Sequence, residues 1–313
     1  MYTCTVLYNN MGDFSASSWP VTVTTLQETE EIDVNSMQVP ISYYDFSITH
    51  PDFDGRRQGD LSDPTYVVNP FGGYLSMSDD PTLDSFARWF LSVPGDNYIR
   101  EKTLVLKQQN GTNTYRYTND DFFPVDGFGY GFEGQRDCNG TLHNFGFTAA
   151  IRAALTYRGN EIITVGGGDE LWLFIDRERV IDLRREKGDK SETTSCRRLK
   201  LQDSRSEGGV SAVLVPGTVT DGECVIHGNV TNDTAKLDLT TGNAYHLDIF
   251  VAEREPCTSS LFLEVQGVVL SFPVVDLSAD VGSVFTARAL NVSNGTTDSP
   301  TVTPEESNNI NTF

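Results

Sequence analysis

Basic residues are scarce. Only 23 Lys and Arg stand against 44 Asp and Glu, for a net charge of −21 at pH 7. A deficit of that size excludes a general nucleic-acid binder, which needs a basic footprint to meet phosphates. Long apolar runs are missing as well: nothing approaches the ~20 apolar residues of a membrane-spanning helix, so no membrane span is expected. The opening MYTCTVLYNNMGDF has neither the charged start nor the apolar stretch of a secretory leader. A secreted form of the chain is therefore expected to be a mature product or a fragment of something longer. Histidine is rare: His50, His143, His227 and His246 show no nucleophile elbow and no metal-ligand spacing. Asp126, Asp176 and Glu253 could serve a glycosidase only if two of them faced each other across a cleft. No enzyme is expected. The five cysteines, Cys4, Cys138, Cys196, Cys224 and Cys257, lack CxxC or Cys/His zinc patterns.

What is present reads as β structure. With 38% hydrophobic and 11% aromatic residues the chain has ample material for a core. Its centre is residues 161–183, EIITVGGGDELWLFIDRERVIDL. Leu171–Ile175 is a continuous apolar run of strand length, Asp176–Arg179 turns the chain, and Val180–Leu183 returns. Gly166-Gly167-Gly168 marks a bulge or tight loop. Asp169 and Glu170 follow at a strand end, where two carboxylates on a rigid support suit a cation, which needs hard oxygen ligands. The alternative is a solvated acidic loop above a structural hairpin.

Asn-x-Ser/Thr sequons at Asn110, Asn139, Asn229, Asn232, Asn291 and Asn294 sit beside turn residues, and their density points to an extracellular glycoprotein at a cell surface or in a matrix. In that setting disulfides are expected, with Cys196–Cys224 the preferred pair across a Gly-rich segment and the remaining connectivity open. Cys4 is a candidate for a bond to another chain or to a neighbouring domain.

Along the chain, residues 1–40 read as an arm, 41–273 as a β domain, and 274–313 as a Ser/Thr/Asn-rich tail or linker. One short helix is expected: Asp80 can cap it, Pro81 can open it, and Phe86, Trp89, Phe90 and Val93 form its apolar stripe. Thr103–Lys107 and Asn113–Thr118 alternate as a hairpin. His50, in an aromatic setting, reads as structural. Residues 184–236 are polar, Gly-rich and basic at their start, and are expected to form a long loop insertion. Arg184, Arg185, Arg197 and Arg198 there form either a solvated surface or a contact for an acidic partner.

Several phrases occur in a telling order: DFSITHPDF (45–53), FARWF…PGDN (86–97), FFPVDG (122–127), HNFGFT (143–148), GGDELWLFID (167–176), VIDL (180–183) and YHLDIFVAER (245–254). Together they resemble the fibro-slime family, a branch of the β-barrel domains similar to the N-terminal domain of anthrax protective antigen. The resemblance implies a secreted, mostly antiparallel β-barrel or sandwich whose usual task is calcium-assisted carbohydrate binding or matrix assembly. It also implies a cation site at the acidic pair, commonly Gly-Asp-Asp-Asp in that branch. Here the phrase is Gly167-Gly168-Asp169-Glu170, so Asp169 matches, Glu170 is a longer carboxylate and Gly168 replaces an acid. The family's Asp-Leu-Gly-Gly becomes Asp182-Leu183-Arg184-Arg185.

The chain is thus expected to be all-β, an antiparallel barrel or sandwich with one short helix, a long basic insertion and extended termini. Two functions follow. One is a carbohydrate-binding adhesion module, with calcium on Asp169 and Glu170 and the sugar contacting Asp169 and Tyr130. The other is a structural subunit of an extracellular filament, wall or matrix, contacting other copies through its termini and basic insertion.

Overall fold

The computed structural model describes residues 4–6, 21–23, 35–53, 65–67, 74–76, 85–184, 194–204, 209–227, 234–254, 259–274 and 288–289. An antiparallel sheet of 14 strands dominates them. Numbered within that sheet, β1 is Ser36–Phe46, β2 Asn97–Gln108, β3 Thr114–Asn119, β4 Phe147–Thr156 and β5 Ile162–Gly167. Then follow β6 Glu170–Ile175, β7 Glu178–Arg184, β8 Ser195–Ser204, β9 Gly209–Thr220 and β10 Glu223–Ile226. The last are β11 Thr234–Leu237, β12 Ala244–Glu253, β13 Leu261–Gln266 and β14 Leu270–Ser271. Neighbours run β7-β6-β12-β4-β1-β2-β3-β13-β5-β8-β9-β10, with β11 on β9 and β14 on β4. The sheet curls into a half-barrel. Its inner face closes on one core that includes Ile41, Tyr43, Leu106, Ile151, Val165, Leu173, Leu199 and Leu263.

The continuous apolar run of β6 has a simple cause: both of its faces are covered. Leu171, Leu173 and Ile175 enter the barrel core, whereas Trp172 and Phe174 face outward beside Ala150, Phe250, Tyr44 and Phe46. That outer face is sealed by Phe53, Phe86, Trp89 and Phe90. Successive strand side chains point to opposite faces, so a strand buried twice cannot alternate. The expected helix is one 3₁₀ turn, Ser85–Arg88; its aromatic stripe is buried, and Asp80 and Pro81 lie outside the described residues. His50 packs against Phe46 and Phe53, in the structural role its setting suggests.

The β6–β7 turn is tighter than the four residues expected. Asp176 and Arg177 both have positive φ, 49° and 74°, the pattern of a two-residue type I′ hairpin, and Glu178 already belongs to β7. A larger correction concerns residues 184–236. Most of those described are sheet rather than loop: β8 pairs with both β5 and β9, and Leu199, Leu201, Val210 and Ala212 are buried. Inward apolar residues alternate with outward polar ones there, which makes the segment look loop-like in composition while it folds as strand.

The disulfide joins Cys196 of β8 to Cys224 of β10, so it passes over the intervening β9. Gly217 lies beneath it. A Cβ there would sit 2.6 Å from the Val225 carbonyl oxygen, 3.0 Å from Cys224 Sγ and 3.1 Å from Cys196 Sγ. Cys138 is disulfide-bonded as well. Asn110 and Asn139 occupy exposed turns; Asn229, Asn232, Asn291 and Asn294 lie outside the described residues, as does most of the expected arm and tail.

Candidate functional site

The acidic corner is built where β5 ends. Gly167 has φ +114°, and a Cβ there would come within 2.0 Å of the Ser260 carbonyl oxygen, so only glycine fits. The Gly168 N–H donates to that same oxygen (2.9 Å) and the Asp169 N–H to the Ala252 oxygen (3.1 Å), which locks the turn into β6. The two carboxylates then diverge. Asp169 Oδ2 accepts the backbone N–H of Arg254 at 2.7 Å. Glu170 takes the Arg254 guanidinium, with Nη2 to Oε1 at 2.5 Å and Nε to Oε2 at 3.3 Å. Arg254 lies 5.0 Å over the Trp89 ring. All three charged residues are buried. A charge taken this far from water is tolerated only when matched, and the guanidinium fork matches a carboxylate through two hydrogen bonds. Among the described residues, no group of three or more His, Cys, Asp or Glu is arranged to hold a metal ion.

A second polar cluster closes one end of the barrel. Residues 120–146 cross that end, with Phe122 and Val125 buried in the core. Side-chain acceptors tie the crossing segment to itself and to β1. Asp126 accepts the Asn144 N–H (2.8 Å) and contacts His143 Nδ1 (2.8 Å). Gln135 Oε1 accepts the Phe145 N–H at 2.6 Å, and Glu133 accepts from Ile48 N–H and the Ser47 hydroxyl. At the centre is Asp45, fully buried at the end of β1. It accepts from the Tyr130 N–H (2.7 Å) and from Asn144 Nδ2 (2.6 Å). Burial pushes its carboxyl up to about 7, helped by the Glu133 charge and opposed by those two hydrogen bonds.

Above Asp45 the Tyr130 ring meets Tyr98 edge-on, 4.9 Å between centroids, and Tyr98 is half exposed. Gly129 makes this approach possible: a Cβ there would fall 2.1 Å from Asp45 Oδ2.

Tyr130 and Asp169 lie at the same end of the sheet but are not brought together. The register steps from Tyr98 to Asp45, then to Phe147, then to Glu253 beside the Asp169 corner. At ~4.8 Å per strand the three steps from Tyr98 to Glu253 span roughly 14 Å along the sheet, and β6 lies one strand further, beyond one sugar ring. Among the expected partner contacts, Arg184 folds back onto Asp182 (2.8 and 3.0 Å) and Arg197 donates to the Cys196 oxygen (3.2 Å). Arg198 sits on β8, and Arg185 lies outside the described residues. No local signal in the sequence marks Arg254, Asp45, Asn144 or Tyr98 as a site residue, since each meets its partners only through the fold.

These features define an all-β class: an antiparallel half-barrel, disulfide-braced on one flank, with a buried acidic corner matched internally by arginine. Comparison with known proteins places it beside a set of Dictyostelium discoideum proteins. The chain is 28% identical to protein psiB over 68% of its own length and 31% of that protein. It is 29% identical to psiQ over 58% of this chain and 15% of psiQ, and 27% identical to psiE over 63% and 33%. The chain thus spans a third or less of the curated relatives it matches. No family model matches it, and no solved structure does.

Proposed function

We propose that the chain is an extracellular, non-catalytic module that binds carbohydrate in cell adhesion, and that its sugar contact is the aromatic end of the barrel rather than a calcium site. The observation that carries this reading is the half-exposed Tyr98 held edge-on against Tyr130, above a buried carboxyl and on a segment pinned by side-chain hydrogen bonds. Rigid aromatics with fixed polar neighbours are suited to sugar rings, because little order is lost when the ring stacks. This reading needs no calcium: Glu170 is paired with the buried Arg254 guanidinium, and the sugar contact is assigned to the aromatic end instead. The test is retention on an immobilised glycan panel, with Tyr98→Ala and Tyr130→Ala alongside the parent chain. Retention that survives chelator but drops in both variants supports the reading. Retention unaffected by either variant sinks it.

A second reading, a subunit of an extracellular matrix, is favoured by the edges of the sheet. Among the described residues β7 and β10 each pair on one side only, and β10 exposes Val225. Open edges are templates for a neighbouring copy. Sedimentation velocity at rising concentration tests it, and a persistent monomer counts against it.

A further inference from the structure

Among the described residues the other end of the barrel is open. A cavity of about 730 Å³ lies there between the start of β1, the β2–β3 turn and the segment entering β14. Its floor is formed by Met37, Tyr115, Leu270 and Phe272, all of them core members or packed against the core. Its rim carries Gln38, Asn113 and Arg158. In a chain of net charge −21, Arg158 is the one charged side chain among the described residues lining the cavity. The carboxylate nearest to it in sequence is spoken for: Glu161 is buried and accepts the backbone N–H groups of Arg158 and Gly159. The Arg158 guanidinium has no carboxylate partner among the described residues, and Arg158 is exposed at the mouth.

We propose that this mouth binds an anionic amphiphile, a medium-chain carboxylate whose hydrocarbon lies on the floor and whose head group meets Arg158. The volume falls within the range of small-molecule sites, and barrel mouths are a recurrent place for them. The floor decides the class of ligand. Met37, Leu270, Phe272 and the Tyr115 ring, continuous with the core, gain from contact with hydrocarbon. The rim decides the charge, since a guanidinium takes a carboxylate through paired hydrogen bonds. This site is independent of the aromatic end and stands or falls without it.

The experiment is calorimetric titration of the full chain with octanoate, 1-octanol and an acidic oligosaccharide, trigalacturonate. One-site binding of octanoate is expected, with 1-octanol weaker. Arg158→Glu, at an exposed position, should weaken octanoate by about tenfold or more, as expected for loss of a charge-assisted contact. Val269→Trp, at a half-exposed lining position, should block binding while the circular dichroism spectrum stays unchanged. Absence of octanoate binding overturns the proposal, as does binding that neither variant alters. Preference for trigalacturonate over octanoate at the same site overturns it too, and would make the mouth a saccharide site.

Discussion

Glu170 and Arg254, 84 residues apart in sequence, close on each other through two hydrogen bonds in a space that water does not reach. The ion pair fixes β6 to the end of β12 and presents the guanidinium to Trp89 on the outer face. It turns an acidic corner that reads as a cation site into part of the packing.

Removing one partner should therefore be far worse than removing both. Arg254→Met leaves Glu170 buried and unmatched, and is expected to cost about 3–5 kcal/mol in urea denaturation. The double variant Arg254→Met with Glu170→Met should recover most of that loss. A single variant as stable as the parent would show that the pair is not buried in solution.

Calcium should leave this corner untouched. Thermal unfolding in excess calcium and in chelator should give the same midpoint, and Glu170→Gln should lower the midpoint equally under both conditions. A midpoint that rises with calcium in the parent but not in the Asp169→Ala variant would restore a metal there.

Asp45 makes stability depend on pH in an unusual direction. Unfolded, its carboxyl titrates near 3.8; folded, burial holds the proton up to about 7. Between those values the native state binds more protons than the unfolded chain, so this contribution falls as pH rises through the window and levels off above it. Asp45→Asn should remove that component. Denaturation from pH 4 to 8 should show the parent losing stability relative to the variant as pH rises, and a parallel pair of curves would refute the assignment.

Reduction of Cys196–Cys224 should destabilise the flank of the sheet. The bridge spans a sequence separation of 28, for which loop closure predicts about 3–4 kcal/mol. Because the sulfurs pass over Gly217, Gly217→Ala should cost more in the oxidised protein than in the Cys196→Ala/Cys224→Ala background. Equal costs would place the crowding at the Val225 carbonyl oxygen alone.

Much of the sheet was legible because the signals were local. LWLFI announced a strand, the flanking residues announced a hairpin, and Cys196 and Cys224 flanked one glycine-rich stretch. The candidate site was less legible because its partners are distant. Nothing near Asp169 and Glu170 in sequence shows that Arg254, 84 residues on, pairs with Glu170. Asp45 sat unnoticed in an alternating strand, since nothing near it in sequence shows that residues 120–146 fold over it. The basic segment was misread for another reason: its polar composition masked the alternation of Leu199 and Leu201 with Val210 and Ala212 across a hairpin.

The order of strands in the sheet also bears on how the protein is made. β12 lies between β6 and β4, and β13 between β3 and β5, so two strands made late among those of this sheet occupy its interior. Until they arrive, β4 and β6 have no common neighbour, and Trp172 and Phe174 lack Phe250 and Ala252 beside them. Pairings so distant in sequence close slowly, and nascent chains awaiting them are prone to aggregate. Synthesis that stops before Ala244 should thus yield a chain that sticks to chaperones or to itself rather than a smaller folded module.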